Sequence, residues 1–169
     1  MTLSYPLDNI PSLHTANRTF HSKDGPRFVD EQLKPLLIEN GVAGKFGAGL
    51  VHCHSHLTQG EGMVEFNGTS TPWLLGKPKT LGGDVIPIAW SLMDGALLPY
   101  EWRFVPYGAE SPEELDQTTS WVKSFIKLVN DSGLSGPLGL RRAPEGGKEC
   151  LEISRGSANI MIPSDQVSR

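Results

Sequence analysis

The stretch from Ile86 to Phe104 constrains the fold more than any other part of this sequence. Ile86, Ile88, Trp90 and Leu92 alternate with Pro87, Ala89, Ser91 and Met93; beyond Asp94-Gly95, Leu98, Tyr100, Trp102 and Phe104 alternate with Pro99, Glu101, Arg103 and Val105. A period of two places successive side chains on opposite faces of a strand, and Asp-Gly is a turn signal, so the stretch reads as an antiparallel hairpin with one strongly apolar face. Its register can be argued. A two-residue Asp94-Gly95 loop would oppose Trp90 to Pro99 and Ile88 to Glu101, mixing the faces, whereas a three-residue loop opposes Trp90 to Tyr100 and Ile88 to Trp102 and is the one expected. The aromatic side chains of this hairpin read as core. Glu101 and Arg103 fall on its polar face, either as a solvated edge or as a salt-bridged pocket wall.

An apolar sheet face needs a cover, and the sequence offers two helices. Ser111-Pro112-Glu113-Glu114 combines an N-cap serine, a proline at the first helical position and a capping-box glutamate, and the apolar positions from Leu115 through Val122, Phe125, Ile126 and Val129 continue to a stop at Asp131-Ser132-Gly133. The pattern predicts one long helix from Pro112 to Asp131. A shorter helix is predicted over Arg27 to Glu39, with Pro35 kinking it. Leu138 to Arg142, Glu149 to Ser154 and Ala158 to Pro163 read as further strands, the last two joined across Arg155-Gly156. The predicted fold is therefore α+β: a single domain in which a curved, mostly antiparallel sheet packs against one long helix, with a shorter N-terminal helix beside it. Residues 1–25 read as an irregular N-terminal arm, 26–163 as the domain and 164–169 as a polar tail.

Composition narrows the function classes. The 19 glycines and 13 prolines fit a turn-rich globular chain, and a net charge of -4 without a basic run longer than Arg141-Arg142 gives no footprint for nucleic acid. No apolar run approaches the ~20 residues that span a bilayer, and the N-terminus shows no basic and apolar leader, so a cytoplasmic protein without a membrane partner is expected. Cys53 and Cys150 are too few for a disulfide scaffold.

Chemistry concentrates in Leu50-Val51-His52-Cys53-His54-Ser55-His56-Leu57. If this segment is extended, His52, His54 and His56 line one face about 7 Å apart, while Cys53 faces away from them. The turn at Thr58-Gln59-Gly60-Glu61 predicts a hairpin between residues 48–57 and 62–67, in which Glu65 opposes His54, Met63 opposes His56 and Asn67 opposes His52. Imidazoles with a nearby carboxylate supply what a divalent metal needs, with Zn, Fe and Mn as candidates. The same groups could move protons without metal, or be only the polar face of a strand. The candidate catalytic residues are His52, His54 and Glu65, and the candidate metal ligands are His52, His54, His56 and Glu61. Glu152 shares a strand face with Cys150 and could reach the site from another strand, but no pattern in the sequence connects it to the histidines.

Two family resemblances bear on this segment. His54-Ser55-His56, four residues, Glu61, six residues and Gly68 resemble the core of the first cupin motif, with the leading glycine one position off at Gly49. That resemblance implies metal ligation by His54, His56 and Glu61, although no histidine follows His56 to form a second motif. The short helix, the His-x-His strand, an acidic turn, Met63-Val64-Glu65 and Ser70-Thr71-Pro72-Trp73 are similar to a group of small uncharacterised fungal proteins, in which the paired histidines correspond to His52 and His54. It favours His52, His54 and Glu65, and implies a fungal protein of specialised metabolism. Two functions follow as expectations. One is a small-molecule enzyme of lyase, isomerase or hydrolase type that uses the histidine face as metal site or acid/base. The other is a non-catalytic ligand-binding or homodimeric interaction domain.

Overall fold

The computed structural model describes residues 10–75, 82–144, 150–163 and Asp165. Eight strands, β1 (Phe46–Leu50), β2 (Glu61–Phe66), β3 (Thr69–Leu74), β4 (Gly83–Met93), β5 (Ala96–Pro106), β6 (Leu138–Arg142), β7 (Cys150–Arg155) and β8 (Ala158–Pro163), form one sheet in the order β1-β6-β4-β5-β2-β3-β8-β7. Every neighbouring pair is antiparallel except β2 and β5, which run parallel. The sheet curls so strongly that side chains following β1 touch side chains of β7, its opposite end. The α+β expectation and the mostly antiparallel, curved sheet agree with this architecture.

The single long helix does not. Helix α4 spans only Ser120–Asp131, and residues 111–119 form an irregular connection tied to the sheet. Gln117 caps the start of β5 with both ends of its amide, accepting from Leu97 N and donating to Leu97 O, while Asp116 accepts from the amide and hydroxyl of Thr118. Arg142 donates to the carbonyl of Glu113. These bonds hold the backbone out of the helix that the Ser111-Pro112 signal favours, since side chains that satisfy backbone groups locally compete with helical hydrogen bonds. The short α4 still provides the cover. Val122, Phe125 and Val129 pack on Trp90, Leu92, Leu97, Leu138, Leu140 and Phe46 in the main core.

Within the expected irregular arm, residues 13–22 are helical. Ser12 caps helix α1 (Leu13–Ser22) by accepting from Thr15 N, and α1 buries Ala16. The ring of Phe20 lies over Gly25, where a Cβ would come 2.2 Å from it. Only glycine allows that approach. The chain continues through α2 (Gly25–Phe28), a π-helical turn at Val29–Leu33 and α3 (Lys34–Glu39). The wider turn lies just before Pro35, where the ring would clash with an ordinary helical carbonyl and no N–H exists to bond. The first nine residues, Glu149, and the 164–169 tail apart from Asp165 lie outside the described residues.

The central hairpin corrects the expected register. Leu92 pairs with Leu97 and Met93 with Ala96, so the loop is the two-residue Asp94-Gly95, both residues at positive φ. The faces are kept apart by irregularities, not by loop length. The register shifts between Pro87 and Ala89 and again between Ala89 and Trp90. The extra residue at Tyr100 lets Tyr100 and Glu101 both line the concave side, while Trp90 and Leu97 remain under the helix and Trp102 and Phe104 pack with Val64. The histidine segment is not half of a hairpin with β2. Strand β1 pairs with β6, and β2 pairs with β3 across Asn67-Gly68, whose positive φ angles of 50° and 78° suit a tight hairpin turn. The turn joining β7 and β8 is Gly156-Ser157, one position beyond the expected one. No helix among the described residues is long and apolar enough to cross a membrane.

Phe125 is fully buried at the centre of the contact between α4 and the sheet. Phe125→Ala should cost about 3–5 kcal/mol of stability by leaving a cavity there, read as a lower midpoint in urea unfolding.

Candidate metal centre and cavity

Beyond β1 the chain stays extended through Cys53 and bends at His54 and Ser55, with Val51 N donating to Pro137 O and Cys53 N to Pro11 O. These bonds hold the segment between the N-terminal lead-in and the β6 approach. The period of two then acts as expected on two of the three histidines: His52 and His54 point into the fold, with side chains 7% and 3% exposed, while Cys53 is exposed. Beyond that bend His56 is exposed at the cavity rim.

Each inward ring has one nitrogen committed to a partner. His52 Nδ1 donates to the carbonyl of Leu50 at 3.0 Å, a contact in which only the ring can supply the proton. His54 Nε2 donates to Glu101 Oε1 at 2.9 Å. Glu101 is 2% exposed. Burial pushes its pKa up, but the Arg141 charge and the His54 hydrogen bond outweigh burial and hold it below the ordinary carboxylate range. Arg141 Nη1 lies 3.0 Å from Glu101 Oε2, an ion pair held by charge because it falls outside hydrogen-bond alignment. Arg141, Ala89 and Glu101 lie side by side across β6, β4 and β5. The small side chain of Ala89 leaves the two long ones room to meet over it.

The remaining nitrogens, His52 Nε2 and His54 Nδ1, converge on Glu152 Oε1 from β7 at 3.0 and 3.1 Å, and the three atoms lie within 4.8 Å of one another. Burial raises the Glu152 pKa, but the His52 hydrogen bond and the close approach of both rings hold it well below the usual carboxylate range. In neutral rings with the protons fixed as above, all three converging atoms carry lone pairs. His54 Nδ1 is close to the carboxylate yet not aligned with it as a hydrogen bond. The three atoms lie close enough together to share one ion. Ligands held about 2.0–2.2 Å from one metal ion stand about 3–3.5 Å apart, close to the two nitrogen–oxygen distances of 3.0 and 3.1 Å here.

The cavity in front of these groups has a volume of about 800 Å³. Ile10, Leu57, Met63 and Tyr100 give it apolar wall, and Ser12, Ser55, Ser157 and His56 give it polar points. Burial and the Glu101 charge push the Tyr100 pKa above that of an ordinary phenol, so it stays protonated; its hydroxyl donates to Leu50 O at 3.5 Å and lies beside Arg141.

The other sequence candidates lie elsewhere. Glu65 does not oppose His54: its carboxylate pairs with Arg103 and accepts from Gly68 N at 2.7 Å, because β2 joins β3 and β5 instead of β1. Glu61 accepts from Thr58 N at 2.8 Å and closes its own turn. The carboxylates of the site come from Glu101 and Glu152, which sequence reasoning placed on a possible pocket wall and on an unconnected strand face. Searches against protein-family profiles, curated proteins and solved structures return no match for this chain.

Without metal, the proton that resolves the lone-pair conflict belongs to His54. Burial lowers its pKa, but the Glu101 hydrogen bond and the adjacent carboxylates of Glu101 and Glu152 prevail and raise it from 6.5 to about 9. A raised folded value stabilises fully below the unfolded value and is lost as pH rises through the folded one; the depressed Glu152 does the reverse on the acid side. Unfolding free energy in the presence of a chelator should therefore hold from above pH 4.5 to about 6.5 and decline towards pH 9. Urea titrations of His54→Asn should lack the alkaline decline. An unchanged decline in the variant would assign it to another group.

Proposed function

We propose that this protein is a small-molecule enzyme of lyase, isomerase or hydrolase type that holds a divalent metal through His52 Nε2, His54 Nδ1 and Glu152 Oε1. The observation that carries this reading is that Leu50 O and Glu101 Oε1 engage opposite nitrogens of the two rings, which fixes opposite tautomers and turns two lone pairs towards an ionised carboxylate. A single proton can bridge one ring to Glu152 but leaves the other ring's lone pair 3.0 or 3.1 Å from the same oxygen. Protonating both rings would put two imidazolium groups 4.3 Å apart between centroids. One divalent cation satisfies all three atoms at once. The partners behind the rings also fit metal ligation, since ligating histidines commonly donate their other N–H to a carbonyl or carboxylate.

Two nitrogens and one oxygen form a donor set suited to Zn, Fe or Mn, with coordination positions left for water and substrate. Bound there, the ion would polarise a substrate oxygen or lower the pKa of water. The charge count supports a ligand with an oxygen donor: the Glu101–Arg141 pair is neutral together, and a divalent ion with Glu152 leaves one positive charge facing the cavity. The apolar wall fits the body of a mainly hydrocarbon molecule, and about 800 Å³ is within the range of small-molecule sites. Tyr100 is a hydrogen-bond donor for the substrate oxygen. His56, exposed at the rim and outside the ligand set, is placed to exchange protons between substrate and solvent. Glu101 is locked between His54 and Arg141 and acts as a positioning residue.

Elemental analysis after dialysis against zinc, iron(II) or manganese should find one equivalent of a divalent metal in the wild type. It should find at least about tenfold weaker binding in His54→Ala and Glu152→Ala, and unchanged content in His56→Ala and Glu61→Gln. Metal retained equally by Glu152→Ala, or absent from folded wild type, would refute the assignment.

A further inference from the structure

Glu152 occupies a special place in the sheet. β7 and β1 stand at opposite ends of the strand order, and β7 pairs with β8 alone. The β7–β8 hairpin is joined to the rest of the sheet on one side at Thr69↔Ile160 and Ser70↔Asn159, with Met161 N donating to Gly68 O at 2.7 Å. On its other side, Glu152 reaches across the seam to His52 and His54. The two histidines belong to one wall of the seam and the carboxylate to the other. The turn of the same hairpin, Gly156 and Ser157, lines the cavity.

We infer that the metal is also the clasp of the curled sheet: by joining His52 and His54 to Glu152 it pins the β7–β8 hairpin more firmly than the direct contacts of the two rings with Glu152 do alone, so the ligand cavity is held closed best in the metal-loaded protein. This rests on the metal assignment proposed above. A short ladder on one side leaves a hairpin free to open at low cost, whereas a strand bonded on both sides opens only with the sheet. An ion that binds the closed arrangement and not the open one shifts the equilibrium by its differential affinity. By the same linkage, a ligand contacting both Ser157 and the histidine wall must bind more tightly to the loaded form. Metal and substrate then strengthen each other's binding.

Amide hydrogen exchange on the full chain, with and without one equivalent of zinc and with zinc content measured on the same samples, tests this. Zinc should slow exchange in residues 150–163 by about tenfold or more, a coupling of the size common between linked sites, and leave β4 and β5 unchanged. Glu152→Ala should exchange fast in that hairpin with or without zinc, and chelation of the wild type gives the same comparison without a substitution. Zinc bound stoichiometrically with no change in the hairpin would overturn the clasp while leaving the metal site standing. Slowing spread evenly over all strands would overturn it too, as general stabilisation. Wild type that binds no zinc would overturn both readings.

Discussion

A carboxylate that is 2% exposed, Glu101, sets the conditions for everything around it. An ionised group removed from water costs several kcal/mol unless neighbours compensate for it. Arg141 supplies the charge from β6 and His54 supplies the hydrogen bond from the segment after β1. For the three to meet, β6, β4 and β5 must place Arg141, Ala89 and Glu101 in one row, and the hairpin must shift register at Ala89. The irregular strand pairing, the small residue at its centre and the inward turn of the histidine segment are thus parts of one arrangement. Removing Arg141 or His54 alone would leave a buried charge with half of its compensation.

The same arrangement decides what the second side of His54 can do. With Nε2 donating to Glu101, the ring offers Nδ1 to Glu152, either as a proton donor or as a ligand. Proton and metal compete for that one lone pair, so metal binding weakens as pH falls below the proton affinity of the site. Glu101 and Arg141 therefore act on the metal indirectly, by fixing the ring that binds it. Glu152, drawn from the far end of the sheet, makes the site depend on the closure of the whole fold.

The extent to which this was legible from sequence follows the range of the interactions. The alternation around Asp94-Gly95, the strands Leu138–Arg142 and Ala158–Pro163 and the inward pair His52 and His54 all follow from period-two patterns, which are local. Helix α4 was legible in its apolar stripe but not at its start, because Gln117 and Glu113 bond to strands distant in sequence. The carboxylates were assigned by assuming that β1 and β2 are neighbours. The sheet order instead places three strands between them, so Glu65 and Glu61 went to other partners while Glu101 and Glu152 reached the histidines. Strand order is set by long-range pairing, for which the sequence carries no short signal. The register of Asp94-Gly95 failed for a related reason: bulges preserved the two faces, so the loop did not have to.

The central claim is that the two rings hold opposite tautomers with their free lone pairs turned on a common cation. Long-range proton–nitrogen NMR spectra of the imidazoles in zinc-loaded protein test it most directly. They should show His52 protonated at Nδ1 alone and His54 at Nε2 alone, with Nε2 of the first and Nδ1 of the second shifted by zinc. A doubly protonated His54 persisting in the presence of excess zinc would contradict the account.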